Sequence, residues 1–67
     1  MPRIIIQSLA GRTVEQKREL VRRLTEAVVD VYRVTPEQVT IFIEEAGPEN
    51  LAKGGVLELD RRAGVAA

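Results

Sequence analysis

Two residues near the start of this 67-residue chain carry the most chemical promise. Pro2 directly follows Met1, at the head of the apolar run "RIIIQSL". Removal of Met1 would free a secondary amine, a group that can take up a proton without any histidine. An α-amino group ordinarily titrates at about 7.7–8.0. Apolar surroundings and a nearby arginine both disfavour its cation and lower that value, toward the range in which general acid–base catalysis works best. With Met1 attached, the same nitrogen is an amide and has no basic lone pair. Arg12 is the second residue. It stands just ahead of a helix start, where the helix dipole is positive and a cation is locally unfavourable. A guanidinium kept there can grip a carboxylate through two parallel hydrogen bonds, with the helix N-terminus adding donors.

Other candidates have plainer readings. Glu44 and Glu45 are neighbours in a strand pattern, so they point to opposite faces and do not form an acid–base pair. Lys17 falls within a helical apolar stripe by angle and is expected to snorkel at the first turn. Tyr32 is expected to close the apolar edge of the same helix. Gly54 and Gly55 read as a turn with no catalytic part. The chain has no Cys and no His. That removes disulfides, thiol nucleophiles, imidazole bases and the commonest zinc ligands, and neither a metal nor a cofactor is expected.

The elements that position these residues follow from the pattern. Residues 3–9 are rich in β-branched side chains and predict a strand. Its unbroken Ile run fits a strand covered on both faces. "TVEQ" at residues 13–16 is a capping box. The helix after it gathers Leu20, Val21, Leu24, Ala27, Val28 and Val31 on one stripe. "TPEQ" at 35–38 predicts a single turn with Pro36 at its first position, and "VTIFIEE" at 39–45 predicts a second strand. "AGPEN" is a loop, and "AKGGVLEL" a Gly-Gly turn opening a short arm. From about residue 60 to 67 a polar, small-residue tail is expected to fray.

The order is strand, helix, strand, arm, with a connection long enough for a parallel crossover. The predicted fold class is therefore α/β (α+β): a single domain over residues 1–67, built as one βαβ unit with a two-stranded parallel sheet and a C-terminal hairpin arm. Such a sheet has two open edges and a bare face. A chain of this length buries only about 60% of the surface its unfolded form exposes. Oligomerisation is the support left to it. Ten basic and ten acidic residues cancel, and the only aromatics are Tyr32 and Phe42. No nucleic-acid footprint is expected. No membrane span or signal peptide is visible either, so the cytoplasm is the expected compartment.

Taken together, Pro2 after Met1, "GRTVEQK" at 11–17, "VTIFIEE" at 39–45 and "PENLAKGG" at 48–55 resemble the small subunit of the tautomerase superfamily, of the 4-oxalocrotonate tautomerase type. The resemblance runs from Pro2 to about Leu59. It implies a hexamer built as a trimer of dimers, an amino-terminal proline acting as general base and then acid, and no cofactor. It also implies a small unsaturated carboxylic acid as substrate and an active site shared between subunits, in which Arg12 serves a neighbour's Pro2.

Two positions depart from the family pattern. Thr40 stands where the family carries an arginine early in the second strand, and Leu51 where it often carries an aromatic residue. Thr40 removes a charge at the substrate's carbonyl end, and Leu51 keeps an apolar wall without a ring. These departures favour a monoacid enol, such as an arylenolpyruvate, over a dicarboxylate dienol. They also motivate a different reading, a non-catalytic structural subunit in a mixed hexamer with a paralogue. A hydratase or dehalogenase within the superfamily would want an extra group to activate water, and none is evident in register. A plain binding module for small acids is a further alternative.

Overall fold

The computed structural model describes residues 1–62. Strand β1 spans Arg3–Leu9. Helix α1 spans Val14–Tyr32. Strand β2 spans Thr40–Ala46, strands β3 and β4 span Ala52–Lys53 and Val56–Leu57, and a short helix α2 spans Glu58–Arg62. Strands β1 and β2 are parallel and run in register from Arg3 opposite Thr40 to Leu9 opposite Ala46. Strands β3 and β4 form the antiparallel arm. The expected βαβ unit with its hairpin is the fold observed.

Local chemistry explains the boundaries. The Thr13 hydroxyl accepts the Gln16 N–H at 3.1 Å, and the Gln16 side chain accepts the Thr13 N–H at 2.9 Å. Two otherwise orphaned donors are thereby satisfied at the start of α1. The helix ends on Arg33, which adopts the left-handed conformation at φ 58° and donates its N–H to Val29 O at 3.0 Å. Pro36–Gln38 forms a single 3₁₀ turn, with Gln38 reaching back to the Thr35 N–H at 2.9 Å. The arm turns at Gly54 and Gly55, both at positive φ (58° and 82°), where a two-residue hairpin needs left-handed backbone.

The two faces of the sheet differ sharply. Ile4, Ile6, Ile41 and Ile43 share the face toward α1 and are half-buried. Val21, Leu24 and Val28 of the helix are half-buried with them. On the other face Ile5 and Phe42, paired in register, are 53% and 44% exposed. Leu20 and Val31, expected within the covered stripe, are exposed on its flank, and Tyr32 is 68% exposed, so it does not close the helix edge. A two-stranded sheet is too narrow to cover the whole apolar arc of the helix. No described residue is fully buried. The radius of gyration is 16.0 Å, against about 11 Å for a compact chain of this size. One copy therefore has no closed core, and burial of its apolar faces must come from other chains.

The tail departs from the sequence reading. Glu58 N–H donates to Leu51 O at 2.8 Å, and residues 58–62 wind into α2 instead of fraying from residue 60. Residues 63–67 of the expected tail lie outside the described residues.

Candidate active site

Pro2 sits at the head of β1. Its carbonyl oxygen accepts the Thr40 N–H at 3.1 Å, which ties it to the first residue of β2. It borders a groove of about 540 Å³ together with Arg3, Ile4, Val28, Val31 and Tyr32. The walls are largely apolar, the environment that disfavours a cationic amine. Met1, ahead of it, is 88% exposed.

Arg12 lies at the far end of the sheet. It borders a second groove of about 250 Å³ with Ile6, Gln16, Lys17, Leu20 and Glu45. Lys17 does not snorkel into solvent. Its ammonium pairs with Glu45 at 2.5 Å across the helix–sheet junction, both side chains being less than a third exposed. That pairing occupies the one carboxylate bordering the groove and leaves Arg12 without an ion-pair partner among the described residues. Leu51 faces an adjoining depression with Gln7, Leu9, Glu44 and Ala46. Glu44 accepts a hydrogen bond from Gln7 at 3.1 Å on the opposite face from Glu45, so these adjacent carboxylates are separated as a strand requires.

The four candidate residues thus fall into two groups. Pro2 and Thr40 meet at one end of the sheet, and Arg12 and Leu51 lie at the other. The seven residues of β1 stand between them, a separation of about 23 Å at strand rise. No small substrate bridges that distance within one chain. A site that uses both Pro2 and Arg12 takes them from different copies. Arg3, which sequence reasoning passed over, joins the first group. It is the register partner of Thr40, and its guanidinium lies 4.7 Å from the centroid of the Phe42 ring. The signal for it was two-dimensional, residing in the pairing of the strands, and a linear reading of the chain does not contain it.

Among the described residues, no three carboxylates gather in a way that could hold a metal ion. No described helix is long and apolar enough to cross a membrane. Between them, the two ends of the sheet hold Pro2, whose nitrogen would be basic if freed, guanidinium groups without ion-pair partners among the described residues, and apolar walls. That is equipment for moving protons on a small organic acid.

The chain is thus a single βαβ unit with Pro2 at the strand mouth and, before the helix, Arg12, which has no ion-pair partner among the described residues. Residues 2–60 match the family model described as tautomerase enzyme, and the chain belongs to that family. It is 42% identical over 55 residues to a 2-hydroxymuconate tautomerase of Bacillus subtilis, covering 82% of this chain and 89% of the relative. A structure from a study of 4-oxalocrotonate tautomerase isozymes of Methylibium petroleiphilum superposes with a TM-score of 0.86 at 45% identity, covering 96% of this chain and all of that one. A heterohexamer 4-oxalocrotonate tautomerase from Chloroflexus aurantiacus gives 0.79 at 33% identity, covering 90% and 97%. The protein is an enzyme of the isomerase class with tautomerase-type function.

Proposed function

We propose that the protein is a cofactor-free keto–enol tautomerase acting on a small unsaturated enol or dienol carboxylic acid, with Pro2 of the mature chain as its base and acid. One observation carries the reading: the family match begins at the residue that heads β1, borders an apolar groove and is tethered by Thr40. The freed Pro2 nitrogen takes the hydroxyl proton of the enol and returns a proton to carbon as the carbonyl forms. Atoms and electrons balance, and no oxidant or metal enters. Arg12 of an adjoining subunit anchors the substrate carboxylate, and Leu51 supplies apolar wall. The working assembly is a homohexamer built as a trimer of dimers, in the cytoplasm.

Intact mass and an ultraviolet assay of enol ketonisation test this together. The expected product is lighter by one methionine and turns over an enol acid, and Pro2→Ala loses that activity. Equal rates in Pro2→Ala and wild type would sink the proposal. A second reading has one specific motive: Thr40 and Leu51 depart from the family pattern, and one solved relative is a heterohexamer. There the chain is a structural subunit, and it would purify as an inactive oligomer or require a paralogue to assemble.

A further inference from the structure

We propose that Arg3 is a substrate-recognition residue of the Pro2 site, and that it selects a dicarboxylate over a monoacid. This inference rests on the placement of the active site at Pro2 proposed above. Expecting a monoacid depends on Thr40 carrying no charge. The strand pairing changes what that position means. Arg3 and Thr40 are register partners in a parallel pair, so their side chains share a face. Adjacent strands lie only about 4.8 Å apart. An arginine side chain is longer than that gap, so a guanidinium rooted at position 3 reaches the surface patch that residue 40 covers.

Three further observations set Arg3 apart from the other cations. First, Lys17, Arg18, Arg22, Arg23, Arg61 and Arg62 all have carboxylate partners, whereas Arg3 has neither an ion pair nor a side-chain hydrogen bond among the described residues. The carboxylate on its own face, Glu44, lies four residues along β2 from Thr40 and is engaged by Gln7. Second, Arg3 directly follows Pro2 and is among the residues bordering its groove, with its guanidinium on the sheet face turned away from α1. Third, its guanidinium lies over the Phe42 ring. Stacking of this kind satisfies the flat face of the group while its edge N–H donors stay available, which suits bidentate capture of a carboxylate. Arg12, Arg33 and Lys53 also lack an ion pair among the described residues, but Arg12 lies at the far end of β1, Arg33 caps the helix and Lys53 sits in the arm, and none of them borders a groove with Pro2. The Thr40 hydroxyl beside Arg3 adds one more donor.

Calorimetric titration of the assembled protein with trans,trans-muconate and with sorbate tests the inference without turnover. The two ligands share a six-carbon diene and differ by one carboxylate. Wild type is expected to bind muconate about ten-fold more tightly, the scale of one charge-assisted hydrogen-bonded contact. Arg3→Ala is expected to abolish the preference while leaving sorbate binding within about two-fold, and Arg3→Lys to keep part of it. Arg3→Met retains a stem over Phe42 and serves if Arg3→Ala fails to assemble. The inference is overturned if wild type shows no muconate preference, binds neither acid, or keeps the preference in Arg3→Met. A preference that depends on Arg3, without Pro2-dependent turnover, would overturn the tautomerase reading alone. Turnover lost in Pro2→Ala, with no Arg3-dependent preference, would overturn this inference alone.

Discussion

The Thr40 N–H donates to the Pro2 carbonyl at 3.1 Å, so the residue proposed to do the chemistry is pinned by the backbone of the second strand. The side chain at position 40 is not part of that tether. Thr40→Ala should therefore leave kcat within about two-fold, because the backbone bond survives. Thr40→Pro removes the donor, and a backbone hydrogen bond is worth about 0.5–1.5 kcal/mol. With the strand mouth released, kcat should fall by about ten-fold. Steady-state assays on the two variants, with size-exclusion chromatography to verify assembly, make the comparison. Equal activity would show that the tether does not position Pro2.

The separation of Pro2 from Arg12 along β1 predicts complementation. Pro2→Ala and Arg12→Ala subunits, each inactive alone, should regain activity when unfolded and refolded together. A site that takes one residue from each of two chains is intact in about a quarter of cases after random mixing. Recovery near that fraction of wild-type activity is expected. No recovery from the mixed oligomer would mean that the two residues do not share a site.

The order of elements, the parallel pairing and the capping box at Thr13 were legible because each rests on local sequence: β-branched runs, a 3.6-residue period, a Thr–Gln spacing of three. The separation of Glu44 from Glu45 was legible for the same reason, since alternation is a property of any strand. Arg3 was not, because its relation to Thr40 exists only after two strands 37 residues apart are set in register. Tyr32, Leu20 and Val31 were misplaced for a related reason. An apolar stripe says which residues seek cover, and the width of the available sheet decides which of them find it within one chain. Residues 60–62 of the expected tail were misread because residues 58–62 form a helix whose start is tied by the Glu58 N–H to Leu51, outside the window of any composition argument.

The Lys17–Glu45 pair joins α1 to β2 and is less than a third exposed at either end. Glu45→Ala leaves the ammonium without its partner at the helix–sheet junction. A cost of about 1–2 kcal/mol is expected, between the values for exposed and buried pairs. Lys17→Met, which removes the charge and keeps the apolar stem, should cost less. Thermal unfolding at fixed subunit concentration gives the order. The prediction fails if Lys17→Met is the more damaging change.

Glu19 is the most perturbed carboxyl of the described chain. It accepts hydrogen bonds from Arg22 and Arg23, each at 2.5 Å, and these guanidinium groups lower its pKa from 4.5 to about 2. A carboxyl whose pKa is depressed by folding adds stability that is fully present above its unfolded value and is lost as pH falls through the folded one. The window here runs from about 4.5 down to about 2. Wild type and Glu19→Gln should therefore differ most above pH 4.5 and converge toward pH 2. The side chain is exposed, so salt should shrink the difference. A thermal-unfolding series across that pH range, at low and high salt, reads both effects. A gap between the two proteins that widens on acidification would contradict the assignment of Arg22 and Arg23 as the groups that hold Glu19 ionised.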